Sequence, residues 1–321
     1  MKKLLSIFVL SLLMPVAALA QSYPNKPIRW IVPYTGGGIT DVVTRIVTQK
    51  MSGPLGQPVV VDNRPGANSI LGSDLAAKAT PDGYTMLTVI AGYAANVTLY
   101  QGKLPFDPRK DLVPVSLAGI APLIMTATPS LPAKDVRELI AYAKANPGKL
   151  NFGSSGIGAA AHLTCELFKQ TAGIDMVHIP FKGTAPATQA VMSNDIQILV
   201  DTPSSMMPHV RGGKLRALGM FSGKRLEAFP DVPTIGEAGG PPLESSTWVL
   251  FMAPGGTPKA IIDRLAAETG KAINESEIKD RFTQLGIEPV GNSPDEAKRF
   301  LDAEINKWAR VINAAGVKAE Q

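Results

Sequence analysis

Short apolar runs alternate along this chain with stretches of helical period, and glycine or proline marks nearly every change between them. That alternation constrains the fold more than any other feature, because strand–helix–strand units stack helices against sheets whose strands run mostly parallel. Strands are expected at Ile28–Tyr34, Val59–Asp62, Tyr84–Ile90, Val113–Leu117, Leu123–Thr128, Leu150–Gly153, Met176–Phe181, Ile196–Val200, Leu215–Met220 and Trp248–Met252. Helices are expected at Asp41–Met51, Ile70–Ala79, Asp135–Ala145 and Ala159–Thr171, and between the later strands. Two long amphipathic helices close the chain, at Pro258–Leu285 with a break near Asn274 and at Pro294–Ala315. A faint internal echo runs through this pattern. Ile28–Tyr34, a glycine-rich loop, a helix, Gly56 and Val59–Asp62 form one unit. Leu150–Gly153, a glycine-rich loop, a helix, Gly173 and Met176–Phe181 form another. The expected fold is therefore α/β, with two similar lobes, each a mostly parallel sheet flanked by helices, and a ligand cleft between them. Ligands of open α/β sheets sit at the carboxyl ends of strands, where both glycine-rich loops fall.

Lys2 and Lys3, the apolar run Leu4–Met14 and Ala18-Leu19-Ala20 before Gln21 have the three parts of a secretory signal, expected over residues 1–20. The run is short for a bilayer span, and no cysteine follows the cleavage point to carry a lipid. The expected location is a bacterial periplasm, where kinases and dehydrogenases would lack their nucleotides. Losing Lys2 and Lys3 with the signal lowers the net charge from +5 to +3. That is too mild for a nucleic-acid protein. The lone Cys165 excludes an internal disulfide framework, and three histidines leave little for a metal centre. Neither a metal nor a cofactor is expected.

The first loop reads Tyr34-Thr35-Gly36-Gly37-Gly38-Ile39-Thr40-Asp41. Bare amides followed by a helix N-terminus favour an anion. The same loop also reads as a tight turn capped by Thr40 or Asp41, and Asp41 itself suits a cap better than a ligand contact. The second loop reads Gly153-Ser154-Ser155-Gly156-Ile157-Gly158-Ala159-Ala160-Ala161-His162. Its serines and its amides through Ala160 could encircle a carboxylate. It also fits G-x-G-x-x-A, the loose dinucleotide fingerprint, but the next strand ends Ile179-Pro180-Phe181-Lys182, without the acid that would bind a ribose. Ser154 or Ser155 with His162 as base would make an exported serine hydrolase, though no G-x-S-x-G elbow is present. His178 and His209 read as structural and Cys165 as core. Asp201, at the end of an apolar strand, reads equally as a ligand acceptor or as a cap on the next helix. Lys182 reads as an anion attractor or a solvated surface lysine.

Taken in order, these residues resemble the Bug-type receptors of tripartite tricarboxylate transporters. The resemblance runs through Tyr23-Pro24-Asn25-Lys26-Pro27-Ile28-Arg29, Gly37-Gly38-Ile39-Thr40-Asp41, Gly56-Gln57-Pro58-Val59-Val60-Val61-Asp62-Asn63-Arg64-Pro65-Gly66-Ala67 and Pro81-Asp82-Gly83-Tyr84-Thr85. It continues through Ala145-Asn146-Pro147-Gly148-Lys149-Leu150, Gly153-Ser154-Ser155-Gly156, Gly213-Lys214-Leu215-Arg216-Ala217-Leu218 and Phe229-Pro230-Asp231-Val232-Pro233-Thr234. The resemblance implies a two-lobed periplasmic binding protein without catalytic activity, with lobe I at 21–121 plus 248–321 and lobe II at 122–247. It implies a small carboxylate ligand, delivery to membrane permease subunits and a monomer. A sensor that hands its signal to a membrane partner would share the same site. Carried over residue by residue, the implied ligand set is Tyr34, Gly37, Gly38 and Thr40 with Ser154, Ser155, Gly156 and Asp201. Thr35, Ile39, Ile157, Gly158, Ala159, Ala160 and His162 belong to the same two loops and complete the expected site. The chain departs from the family pattern at Thr35 and Gly36, where prolines are common, and at Ile39, Ala159 and Ala160, where hydroxyls are common. Extra methyls there imply a ligand with an apolar middle, an aliphatic or aromatic dicarboxylate rather than citrate.

Overall fold

The computed structural model describes residues 23–319, so the expected signal segment, 1–20, lies outside the described residues. The chain opens with β1 (Ile28–Val32), α1 (Ile39–Leu55), β2 (Val59–Asn63), α2 (Ile70–Ala77), β3 (Thr85–Val89), α3 (Ala91–Leu99) and the long β4 (Leu112–Pro122). β1 pairs in parallel with both β2 and β3. The chain then builds a second sheet from β5 (Ile124–Ala127), α4 (Val136–Ala145), β6 (Asn151–Ser154), α5 (Ala160–Ala172), β7 (Val177–Pro180), α6 (Thr184–Met192), β8 (Ile198–Asp201), α7 (Pro203–Arg211) and β9 (Arg216–Met220). It returns through β10 (Ser246–Pro254), followed by α8 (Lys259–Asn274), α9 (Ser276–Gln284), β11 (Glu288–Pro289) and α10 (Pro294–Ala315). The first sheet has the order β11-β4-β10-β3-β1-β2, and the second β7-β6-β8-β5-β9. The architecture is a two-lobed α/β fold with helices on both sheets.

The sheets are mixed, not mostly parallel. β1, β2 and β3 in one, and β6, β7 and β8 in the other, pair in parallel, whereas β4, β10, β11, β5 and β9 enter antiparallel. The cause is topological. β4 carries the chain out of the first sheet and β10 carries it back, so the two must run in opposite directions. They pair along their whole length, from Leu112 with Pro254 to Pro122 with Ser246. Just beyond, the amide of Leu123 donates to the carbonyl of Ser245, and that of Ser245 to the carbonyl of Phe221, so the crossing is stitched into the second sheet.

Aromatic packing holds the crossing strands in the first lobe. Trp30 meets Phe251 edge-on at 4.8 Å, and its indole N–H donates to Thr88 Oγ1 at 2.9 Å. Trp248 and Trp308 both donate to the buried carboxylate of Glu304, at 2.7 and 2.9 Å, and Lys307 pairs with the same group. Buried indole N–H groups need such an acceptor. α10 begins with a complete capping box from Ser293 and Glu296 and runs for 22 residues across the first lobe. Among the described residues no helix is long and apolar enough to cross a membrane.

Candidate functional site: a cavity ringed by helix N-termini

The first loop turns from β1 into α1. Its conformation is fixed from behind by Asp41, which accepts from the Gly37 amide, Arg45 Nε and Asn63 Nδ2 at 3.1, 2.9 and 3.0 Å. Asn63 Nδ2 also donates to the carbonyl of Tyr34 at 3.1 Å, tying β2 to the loop. Burial works to raise the Asp41 pKa, but the bonds from Arg45, Asn63 and Gly37 hold it below the ordinary carboxylate range. Asp41 is thus a brace with its acceptors engaged. Tyr34 packs beside it, its hydroxyl on Asn68 Oδ1 at 3.2 Å, and burial pushes its phenol pKa up.

The second loop, between β6 and α5, is held from behind in a similar way. Ser154 is 0% exposed. Its hydroxyl lies 2.7 Å from His178 Nε2 and 3.0 Å from the Gly156 carbonyl, and it accepts from the Gly156 amide at 3.3 Å. His178 comes from β7, which pairs with β6 in parallel and in register. His162 accepts from the Gly158 amide at 3.1 Å and stacks on His178, with centroids 3.8 Å apart and planes 9° from parallel. Burial lowers the pKa of His162 to about 4 and that of His178 to about 3, so both rings are neutral near pH 7. The Ser154–His162 pair of the alternative hydrolase reading is not formed. Ser154 bonds to His178 instead, because a partner on the adjacent strand is closer than one a turn into the following helix. Ser155 makes no side-chain hydrogen bond to either ring among the described residues.

Between these loops lies a small cavity lined by Tyr34, Thr35, Gly38, Ile39, Thr40, Ile90, Leu123, Ser155, Ala159, Ala160, Ala161, Thr184, Asp201, Thr202 and Thr247. The fold brings both glycine-rich loops to one place. Of the expected residues, Tyr34, Thr35, Gly38, Ile39, Thr40, Ser155, Ala159, Ala160 and Asp201 reach the wall. Ser154, Gly158 and His162 lie buried behind it, while exposed Gly37 and half-buried Gly156 and Ile157 lie outside the lining. They miss the wall because the loops turn through their glycines and bury Ser154 and His162 against β7. Sequence reading missed Ile90, Leu123, Ala161, Thr184, Thr202 and Thr247. Gly183-Thr184 at a helix start gave a usable signal for Thr184. Leu123 and Thr247 carry none, since only the pairing of the crossing segments places them there.

The lining residues share a property. Gly38, Ile90, Ala159 and Thr202 are the N-caps of α1, α3, α5 and α7, and Thr184 is the first residue of α6. None of these five helices has a side-chain cap. The first ladder bonds of α1 and α5 run from the Val42 amide to the Gly38 carbonyl and from the Leu163 amide to the Ala159 carbonyl. The amides of Ile39–Asp41 and Ala160–His162 therefore precede the ladder. Five helix ends, each carrying roughly half a positive charge, converge on one cavity from both sheets. Away from the cavity, α4 and α10 are capped by Asp135 and Ser293, while α2, α8 and α9 also start without a side-chain cap, so the convergence of the five ends, rather than the missing caps, sets this cavity apart.

Among the polar side chains of the wall, Asp201 and Thr247 stand out. Asp201, 6% exposed, accepts from the Thr202 amide at 2.7 Å and the Thr184 hydroxyl at 2.9 Å. Burial raises its pKa against those bonds. Thr247 is 4% exposed, and its hydroxyl has no hydrogen-bond partner among the described residues. An unpartnered buried hydroxyl is uncommon in a folded chain, and this one lies on the cavity wall.

The lobes stand closed. A Cβ on Gly183 (φ +114°) would collide with Thr35 Oγ1 of the first lobe, and one on Gly158 (φ +77°) with Leu99. The cavity leaves about 30 Å³ for the centres of water-sized molecules, the room of roughly two or three waters, so a solute the size of a dicarboxylate fits only with the lobes further apart than they stand here. A larger groove of about 810 Å³ lies between α5 and α10, but no helix N-cap lines it and its wall is mostly apolar. The helix ends, not the volume, mark the candidate site.

Two α/β lobes closed over a shared cavity are the architecture of a periplasmic-type solute-binding protein. The chain belongs to the tripartite tricarboxylate transporter receptor family, whose model matches residues 43–317. Protein BugT of Bordetella pertussis is 36% identical over 316 residues, covering 98% of this chain and 97% of BugT. An R. palustris protein solved with adipate superimposes with a TM-score of 0.89 at 32% identity, over 92% of this chain and 99% of its own. MatC from Rhodopseudomonas palustris, solved with malate, gives 0.84 at 33% identity, over 90% and 100%.

Proposed function

We propose that this protein is a periplasmic receptor that captures a small dicarboxylate between lobe I (21–121 with 248–321) and lobe II (122–247) and delivers it to a membrane permease. The observation that carries the reading is the convergence of five helix N-termini, uncapped by side chains, on one cavity between the two sheets. A carboxylate entering there exchanges water for main-chain amides, and charge-assisted bonds of this kind are about twice as strong as neutral ones. Ile39, Ile90, Leu123 and the Ala159–Ala161 methyls line the space between the polar ends and suit an apolar ligand middle. The relatives solved with adipate and malate support the carboxylate class. Ligand touching both lobes binds the closed form better than the open one and so drives closure. Ser154, Gly156, Gly158 and His162 shape the second loop from behind, while Ser155, Ala159 and Ala160 face the ligand.

A thermal-shift and calorimetric panel of adipate, malate, citrate and aromatic dicarboxylates tests the reading. An aliphatic or aromatic dicarboxylate is expected to stabilise the fold by about 3 kcal/mol at about 100 times Kd. A strong response to citrate alone contradicts the apolar-middle reading, and no response to any carboxylate contradicts the function.

A further inference from the structure

Asp201 is an anion set among amides that attract anions. It ends β8, forms part of the cavity wall and is almost wholly buried. Among the described residues, no lysine, arginine or histidine lines that cavity, and Asp201 is its sole charged group. The surrounding titratable groups offer no compensation. On α1, Asp41 is engaged by Arg45, Asn63 and the Gly37 amide, and Arg45 also donates to Asn63 Oδ1. Behind the second loop, buried His162 on α5 and half-buried His178 on β7 are neutral rings engaged with Gly158 and Ser154. Tyr34 is bonded to Asn68. Lys182, two residues before Thr184, is exposed and outside the lining. On the neighbouring strand β5, the residue opposite Asp201 is Ile124.

A second carboxylate brought into so small a space meets a like charge that no cationic side chain of the lining offsets. Two carboxylates sharing a buried site cannot both stay ionised, and one takes up a proton. The hydrogen bonds already present leave room for this. Oδ1 accepts from the Thr202 amide, and Oδ2 accepts from the Thr184 hydroxyl, which leaves Oδ2 a second lone pair. Resting on the carboxylate reading above, we propose that the site captures its ligand together with one proton from solvent, shared between Asp201 and the nearer ligand carboxylate. The balance is one ligand carboxylate, one Asp201 carboxylate and one solvent proton giving a single O–H···O⁻ pair, with Thr202 and Thr184 still donating. Asp201 then acts as a donor selecting for an acceptor. The wall of uncapped amides disfavours the alternative, a ligand ammonium paired with ionised Asp201.

Calorimetric titration of adipate and malate, each in three buffers of different ionisation enthalpy at about pH 6 to 8, counts the protons bound. Uptake approaching one proton per ligand is expected, with Kd weakening by up to about tenfold per pH unit as pH rises. Asp201→Asn presents an amide donor in place of the acid. Its uptake falls to zero and its Kd becomes independent of pH over the same range. A protonated-carboxyl infrared band should appear when ligand is added to the wild type and be missing in D201N. Should D201N fail to fold, the wild-type buffer dependence and infrared band decide alone. Tight binding with no proton uptake and a flat Kd overturns the proposal while leaving the carboxylate reading intact. Binding of the zwitterion aspartate in preference to both diacids, again without uptake, also overturns it. No binding of any carboxylate across the pH range overturns the functional reading itself.

Discussion

Thr247→Val should make the unliganded protein more stable and the receptor worse. The Thr247 hydroxyl is buried and unpartnered, while its backbone lies in the ladder opposite Ala121. Leaving a buried hydroxyl unsatisfied costs about 1–3 kcal/mol, and an apolar group of the same shape removes that cost. T247V therefore gains about 1–2 kcal/mol without ligand, a rise in Tm of roughly 2–3 °C for a chain of this size. Binding moves the other way. A hydrogen bond to a charged carboxylate is worth about 1.5–3 kcal/mol, so losing it weakens Kd by roughly ten- to a hundredfold. Differential scanning calorimetry without ligand and isothermal titration with adipate measure the two effects separately. A variant less stable than wild type without ligand, or one with unchanged Kd, would refute the assignment of Thr247 to the ligand site.

Acid should weaken the fold through the histidine stack. The unfolded His162 protonates near pH 6.5, while the buried ring resists until about pH 4. Its contribution is full above about pH 6.5 and is lost as pH falls toward 4, amounting to about 3 kcal/mol, so urea midpoints should fall over that range. A His162→Gln variant with the same acid slope as wild type would contradict this. Gly183→Ala adds a methyl against Thr35 across the cleft and should weaken ligand affinity at least about tenfold, since closure is blocked. G183A combined with Thr35→Ala should regain part of that loss in titration calorimetry, whereas additive losses would show that the contact does not gate closure. Glu304→Leu strands the indole N–H groups of Trp248 and Trp308 and should cost about 3 kcal/mol in denaturant unfolding; a neutral result would remove Glu304 from the packing that holds β10 and α10 together.

Much of this architecture was legible in the sequence, for identifiable reasons. The strands stood out because each is a short apolar run bounded by turn residues, and the break at Asn274 appears between α8 and α9. α3 left no trace because Ala91–Asn96 are all buried, which erases the amphipathic period that marks a helix. Pro114 and Pro122 disguised the length of β4, and its antiparallel partner lies more than a hundred residues away. The two loops were readable because glycines at strand ends have few other uses. Their internal arrangement was not, since Ser154 takes its partner from β7 rather than from the helix that follows it. Thr247 and Leu123 reach the cavity only through the crossing of the chain between lobes, which no local pattern encodes.

The central claim is that one carboxylate ligand is gripped by main-chain amides from both lobes at once. A crystal structure with bound adipate tests it directly. The account predicts one carboxylate of the ligand against the first-turn amides of α5, Ala160 and Ala161, its other end facing Gly38 and Thr40 of α1, and Thr247 Oγ1 within hydrogen-bond distance. Adipate held by one lobe alone, or seated in the groove between α5 and α10, would contradict it.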